Sequence, residues 1–382
     1  MSKRFQMKRF RFKTKDGGEL VRHLLTDHYL PMVVPNQYLL QKGVNKAKTG
    51  RVYGYKLCQF FNYLEENQEK EWEKATNKSV SLFLDHLIFG DGTACKLQEG
   101  NRYSYSTLSS YLSVITDFYR WLDSVYGSEM IFFEGNRKIR SESYLYGQIY
   151  NTNYEYILNR TLPKLKGKKE FLKWYTEEEK QLILENFNTI RDKAVFSLTL
   201  EGFRIDEVLS MTLNGYQSAV RLIQPNRSKG KQSFLGNEQN HLRTIRISQE
   251  TVNYLEEYLR TERVNAENES GIISEVIFLN LQGKVKGTPL AYHNFRKILI
   301  KSGERAGLSP EKLRTHSGRS TKVMEVLEFN ALNPEQAKSD VQIQHLFGWS
   351  NINSLDDYRN HNSEIMAYAA LLRQKKEEND HD

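Results

Sequence analysis

From residue 36 to residue 126 apolar side chains recur three and four positions apart, the period of helices packed on one side. Val52, Tyr55, Cys58 and Phe61 fall on one predicted face, and Leu57, Phe60 and Leu64 widen it. Residues 80–89 form a short, strongly apolar segment. Residues 106–126 carry Leu108, Leu112, Ile115, Phe118, Tyr119 and Leu122, and Gly127 follows as a helix stop. The spacing predicts a compact domain of about four helices within 28–130.

Ahead of it lies a basic arm, 1–27. Lys3, Arg4, Lys8, Arg9, Arg11, Lys13 and Lys15 occur there without an acid before Asp16, and Phe5, Phe10 and Phe12 are interleaved among them. Residues 15–19 read as a turn, which makes the arm a short hairpin. Such an arm is either a solvated, frayed tail or a segment laid along nucleic-acid phosphates.

Residues 131–170 read as a Tyr-rich linker with a basic end at Arg160, Lys164, Lys166, Lys168 and Lys169. That end suits a strap over a phosphate backbone, or a plain solvated connection. The region 171–382 opens on Thr176 and Glu179, a capping box. A helix over about 189–201 ends at Gly202. Residues 218–224 and 242–248 alternate as strands around a long basic tip, 226–241. Helices resume at about 249–263, 290–305 and 311–328, the last with Ser309 and Pro310 at its N-cap and first position. The chain is therefore expected to be mainly α (α+β), a helical domain followed by a mostly helical one with a small antiparallel sheet.

Composition narrows the partners. The chain has 382 residues, 39% hydrophobic and 27% charged, the profile of a globular protein long enough for two cores. A net charge of +8 points to a polyanionic partner. With two cysteines, Cys58 and Cys95, neither a disulfide framework nor a cysteine-based zinc site is expected, which fits a reducing cytosol. The N-terminus lacks a secretory signal, and no apolar run approaches the roughly 20 residues that span a bilayer.

The candidate chemistry is an ordered set that ends in 343–358. Arg204 follows Gly202 on a helix start that points its guanidinium out of the core, and His316 and Arg319, at i and i+3 on a helix, share a face. Two arginines and a histidine suit an anion with two non-bridging oxygens, since the guanidinium fork binds bidentately. Lys229, between Arg227 and Lys231 on the hairpin tip, can bring an ammonium to a leaving oxygen. Tyr358, nine residues after Trp349, is the candidate nucleophile. A phenol attacks weakly at neutral pH and needs neighbouring cations, which also stabilise a pentavalent phosphorane. No carboxylate cluster accompanies these residues, so neither metal-assisted transfer nor any cofactor is expected. Taken singly, each residue is an ordinary one: Arg204 and Glu207 a helix ion pair, Trp349 and Tyr358 packing residues. Order and spacing make them a set.

The segments 201–209 (Glu-Gly-Phe-Arg-Ile-Asp-Glu-Val-Leu), 316–319 (His-Ser-Gly-Arg) and 346–351 (Leu-Phe-Gly-Trp-Ser-Asn), with Tyr358, resemble the tyrosine recombinases of the phage-integrase family. The resemblance covers about 170–375 by motif and 30–126 by architecture only. It implies that Arg204 and Arg319 bind the scissile phosphate and that Lys229 protonates the 5′ leaving oxygen. It further implies that His316 assists proton transfer, Trp349 fills a position that is His or Trp in members, and Tyr358 forms a 3′-phosphotyrosyl bond. Glu207 supports the site. The expected partners are double-stranded DNA with inverted-repeat sites and three further copies of the chain, and an apolar-faced helix at 363–373 either couples this tetramer or packs on its own domain. A transposon-encoded integrase or transposase acting in the cytoplasm on the nucleoid, with no membrane partner, fits this picture.

Three departures stand out. Glu201 replaces a frequent Thr, the interval from Arg319 to Trp349 is lengthened around 330–334, and the long hairpin tip leaves Lys229 and Lys231 as alternatives. Two rival readings are a type IB topoisomerase, in which a Lys or Arg tends to stand at the position of His316, and a catalytically silent DNA-binding protein on the same scaffold.

Overall fold

The computed structural model describes residues 3–13, 19–43, 47–67, 71–90, 103–126, 172–226, 243–349 and 351–363. They divide into two units, one within 3–126 and one within 172–363. Among the described residues no helix is long and apolar enough to cross a membrane.

The first unit opens with a hairpin. Strand β1 (Phe5–Lys13) pairs antiparallel with β2 (Glu19–Asp27) over nine residues, and the short β3 (Leu30–Pro31) adds to β2. Alternation points Phe5, Met7 and Leu25 into the helical core, while Arg9, Arg11, Phe12 and Lys13 are exposed further along β1. Asn62 pins the base of the hairpin, accepting from the Phe5 N–H at 3.0 Å and donating to its carbonyl at 2.9 Å. Four α-helices follow: α1 (Val33–Gly43), α2 (Ala47–Glu66), α3 (Asn77–Phe89) and α4 (Tyr105–Tyr126). The buried stripe of α2 is Leu57, Phe60, Phe61 and Leu64. Val52 and Tyr55, expected on that face, are exposed, because the stripe is centred about one residue further round the helix.

The second unit carries α5 (Glu177–Glu185), started by the Thr176–Glu179 capping box, then α6 (Ile190–Leu200) and the single turn α7 (Ile205–Val208). Its sheet is smaller than alternation suggested. Strands β4 (Tyr216–Gln217), β5 (Leu222–Ile223) and β6 (Ile245–Arg246) are two residues each. A 3-10 turn at Ser218–Val220 and left-handed Arg221 (φ 57°) break the run expected over 218–224.

The helix expected over 249–263 is two, α8 (Gln249–Arg260) and α9 (Glu262–Ser270). The break at Thr261 frees Glu262 to cap α6, accepting from the N–H groups of Ile190 and Arg191 at 3.0 and 2.8 Å. After α10 (Tyr292–Arg305), Ser309 and Pro310 head a turn instead of a helix. Leu313 folds back, buried, against Gly303, and α11 begins only at Ser317, running to Leu332. A 3-10 turn at Pro334–Gln336 leads to α12 (Asp340–Phe347), and residues 356–363 are helical.

Candidate active site

The site is built around the C-terminal end of α12, where Gly348 takes the left-handed conformation (φ 57°) that closes the helix. The last carbonyls of a helix have no partner within it and carry its negative dipole end. Here three guanidiniums meet them. Arg319 donates to Phe347 O, Arg243 to Leu346 O at 2.5 Å, and Arg204 to Gly348 O at 3.4 Å. Arg319 and Arg243 also share Gly202 O, at 2.8 and 3.0 Å.

Glu207 is the carboxylate between them, pairing with Arg204 at 2.8 Å and with Arg243 at 2.6 Å, its side chain 2% exposed. It also accepts from the backbone N–H of Arg204 at 2.8 Å. Burial pushes the carboxyl up, but Arg243 and then the N–H and guanidinium of Arg204 outweigh it and hold Glu207 below the usual carboxylate range. Burial, reinforced by Arg204 and Arg243, holds Arg319 well below its ordinary value. Among the described residues, three guanidiniums against this one carboxylate leave a surplus of two positive charges. Among the same residues, the buried Nε atoms of Arg243 and Arg319 have no hydrogen-bond partner. A surplus of buried cations is costly unless an anion completes it.

Tyr358 lies beside this cluster, 6% exposed, packed with Val323, Met324, Leu327, Phe347 and Leu355. Its ring is 5.9 Å from that of Trp349, which stacks on Phe347 at 5.1 Å and lies 5.6 Å beneath the Arg319 guanidinium. The Tyr358 hydroxyl is 3.2 Å from Ser320 Oγ, one residue after Arg319.

The structure therefore brings together Arg204, Glu207, Arg319, Trp349 and Tyr358. Two expectations change. The Arg204 side chain is only 20% exposed, held inward by Glu207. His316 and Arg319 differ in burial: His316 is the exposed N-cap of α11, whereas Arg319, a turn on, is fully buried. Lys229, Arg227 and Lys231, the linker residues Arg160, Lys164, Lys166, Lys168 and Lys169, Gly127 and the helix expected at 363–373 beyond its first residue lie outside the described residues. Arg243 was missed. In sequence it is a basic residue at a strand entry, and only the 36-residue return to Glu207 shows its place.

This convergence on a helical scaffold defines the tyrosine recombinase class. The phage integrase family model matches residues 173–364, just over half of the chain, and the phage integrase N-terminal SAM-like domain matches 36–124. The chain belongs to the phage integrase family. Among solved structures, the XerH site-specific recombinase bound to palindromic difH substrate is 14% identical, with a TM-score of 0.57 over 86% of this chain and 80% of that one. The integrase of transposon Tn1549 in complex with transposon right end DNA is 14% identical, with a TM-score of 0.56 over 88% of this chain and 98% of that one. At these identities the likeness is one of fold. No curated protein matches the chain.

Proposed function

We propose that this recombinase cuts and rejoins duplex DNA at inverted-repeat sites through a bond between Tyr358 and the 3′-phosphate, moving a mobile element in or out of a genome. The observation that carries the reading is the arginine surplus around Glu207 with Tyr358 next to it. Arg204 and Arg319 hold the non-bridging oxygens of the scissile phosphate. The Tyr358 hydroxyl leaves Ser320, gives up its proton with His316 assisting, and attacks phosphorus. The bond from phosphorus to the 5′ oxygen breaks, and Lys229 or Lys231 protonates that oxygen while His316 assists the proton movement. A 5′-hydroxyl from a second duplex then attacks the phosphotyrosine and releases Tyr358, so no phosphodiester is lost and no ATP is needed.

Two such rounds pass through a Holliday junction on four assembled copies. The hairpin and residues 28–130 grip the duplex, 131–170 serve as a basic strap, and 171–382 carry the chemistry. The palindromic substrate of XerH and the transposon end bound by the Tn1549 integrase are the neighbours' own partners, and they support this choice of DNA. The setting is the nucleoid of a prokaryotic cell.

The test uses duplexes enriched by binding from a random pool and rebuilt with a nick beside each candidate phosphate. Wild type is expected to give an adduct that survives denaturing electrophoresis, and Tyr358→Phe none. An adduct that persists in the Phe variant removes Tyr358 from the role. Tight binding without any adduct in wild type sinks the strand-transfer reading.

A further inference from the structure

Arg243 has no part in the reaction set out above, yet it is the most heavily bonded of the three guanidiniums. One nitrogen donates to Leu346 O at 2.5 Å, the other to Gly202 O at 3.0 Å and Glu207 at 2.6 Å. Its guanidinium lies 4.8 Å over the Phe203 ring, and its Cδ would be 3.3 Å from a Cβ at Gly348. One planar fork thus ties the 202–207 turn, which carries Arg204, to the 346–348 turn, which leads into Trp349. An amide has two N–H donors, and an ammonium offers its three from a single nitrogen, so neither reproduces this planar fork.

A buried cation next to two others is an expensive way to hold a fold together, since Arg204 and Arg319 repel it. The arrangement makes sense where the two tied turns must keep their places around a phosphate. We propose that Arg243 is a positioning residue for strand transfer: it holds Glu207 and the 346–348 turn so that Arg204 and Arg319 face one phosphate and Trp349 backs Tyr358. This rests on the strand-transfer reading. Burial lowers the Arg243 guanidinium and Glu207 opposes that effect, which agrees with a charge kept in place by this contact.

Full-length Arg243→Gln and Arg243→Lys test it with two readouts. Without DNA, Arg243→Gln is expected to speed amide exchange about tenfold over 202–207 and 343–349, with the rest of the second unit unchanged. On nicked duplex, its cleavage rate at saturating DNA is expected to fall about 100-fold, the scale of a misplaced reacting group, with affinity within about threefold of wild type. Arg243→Lys, which keeps the charge and loses the fork, is expected to fall between the two. Wild-type exchange in both turns overturns the proposal, as does faster exchange across the whole unit or a wild-type cleavage rate in Arg243→Gln. A wild-type chain that forms no adduct sinks the strand-transfer reading instead, and the exchange measurement still decides whether Arg243 holds the two turns.

Discussion

At the scale of single residues, Glu207 sets the charge state of the site. Its folded carboxyl lies below its ordinary value near 4.5, so its contribution to stability is present above that pH and is lost as pH falls through the lower folded value. Glu207→Gln is expected to lower stability by about 3 kcal/mol at neutral pH, the scale for breaking a buried ion pair. The gap from wild type should close on acidification below about pH 4.5. Urea unfolding at neutral pH and at successively lower pH checks this, and a gap that stays constant would show that Glu207 is not held as an anion. The pairing of Arg204 with Glu207 was legible in the sequence, because i and i+3 are neighbours on any helical turn. The burial of Arg319 and the exposure of His316 were not. They follow from where α11 starts, and that depends on Leu313 packing on Gly303.

At the scale of elements, the turn between α6 and α7 and the end of α12 form one joint. Gly202 takes φ 94°, a conformation costly for any residue with a Cβ, and a Cβ there would sit 2.8 Å from Cε1 of Phe347. Gly202→Ala is expected to cost about 2 kcal/mol from backbone strain and overpacking together. Because Gly202 O accepts from both Arg243 and Arg319, adduct formation should fall as well. An unchanged urea midpoint would mean that Phe347 can yield and the joint is loose. The long helices were readable because a core-facing stripe repeats every three to four residues over several turns. Strands of two residues carry no such repeat: β4, β5 and β6 are set by pairing across the chain, so alternation over 218–224 overstated β5 and missed β4. The split between α8 and α9 was hidden for a similar reason, since Glu262 is drawn to the start of α6, some 70 residues away in sequence.

At the scale of the whole molecule, the described residues form separate cores, and the proposed function divides grip and chemistry between them. One core is built from Phe5, Leu25 and the packed faces of α1 to α4, the other two from residues after 171. Charge is also unevenly exposed: the +8 surplus includes the hairpin, where Arg9, Arg11 and Lys13 stand exposed on one face of β1, whereas in the arginine cluster of the second unit Arg319 is buried and Arg204 and Arg243 are largely covered. The hairpin falls outside both matched family segments, so its role must be argued from its own geometry. A two-stranded ribbon fits the major groove of duplex DNA, and each phosphate neutralised by a cation contributes about 0.9 to the slope of log affinity against log salt. Replacing Arg9, Arg11 and Lys13 by Gln is therefore expected to reduce that slope by about 3 and to weaken binding at low salt. These side chains are exposed, so the stability read from urea unfolding should stay within about 0.5 kcal/mol of wild type. The rate of adduct formation from already bound duplex should stay at the wild-type value, because nothing in the arginine site changes. A slope equal to that of wild type would make the hairpin a solvated extension of the first core, and a slower rate from bound duplex would show that grip and chemistry are coupled.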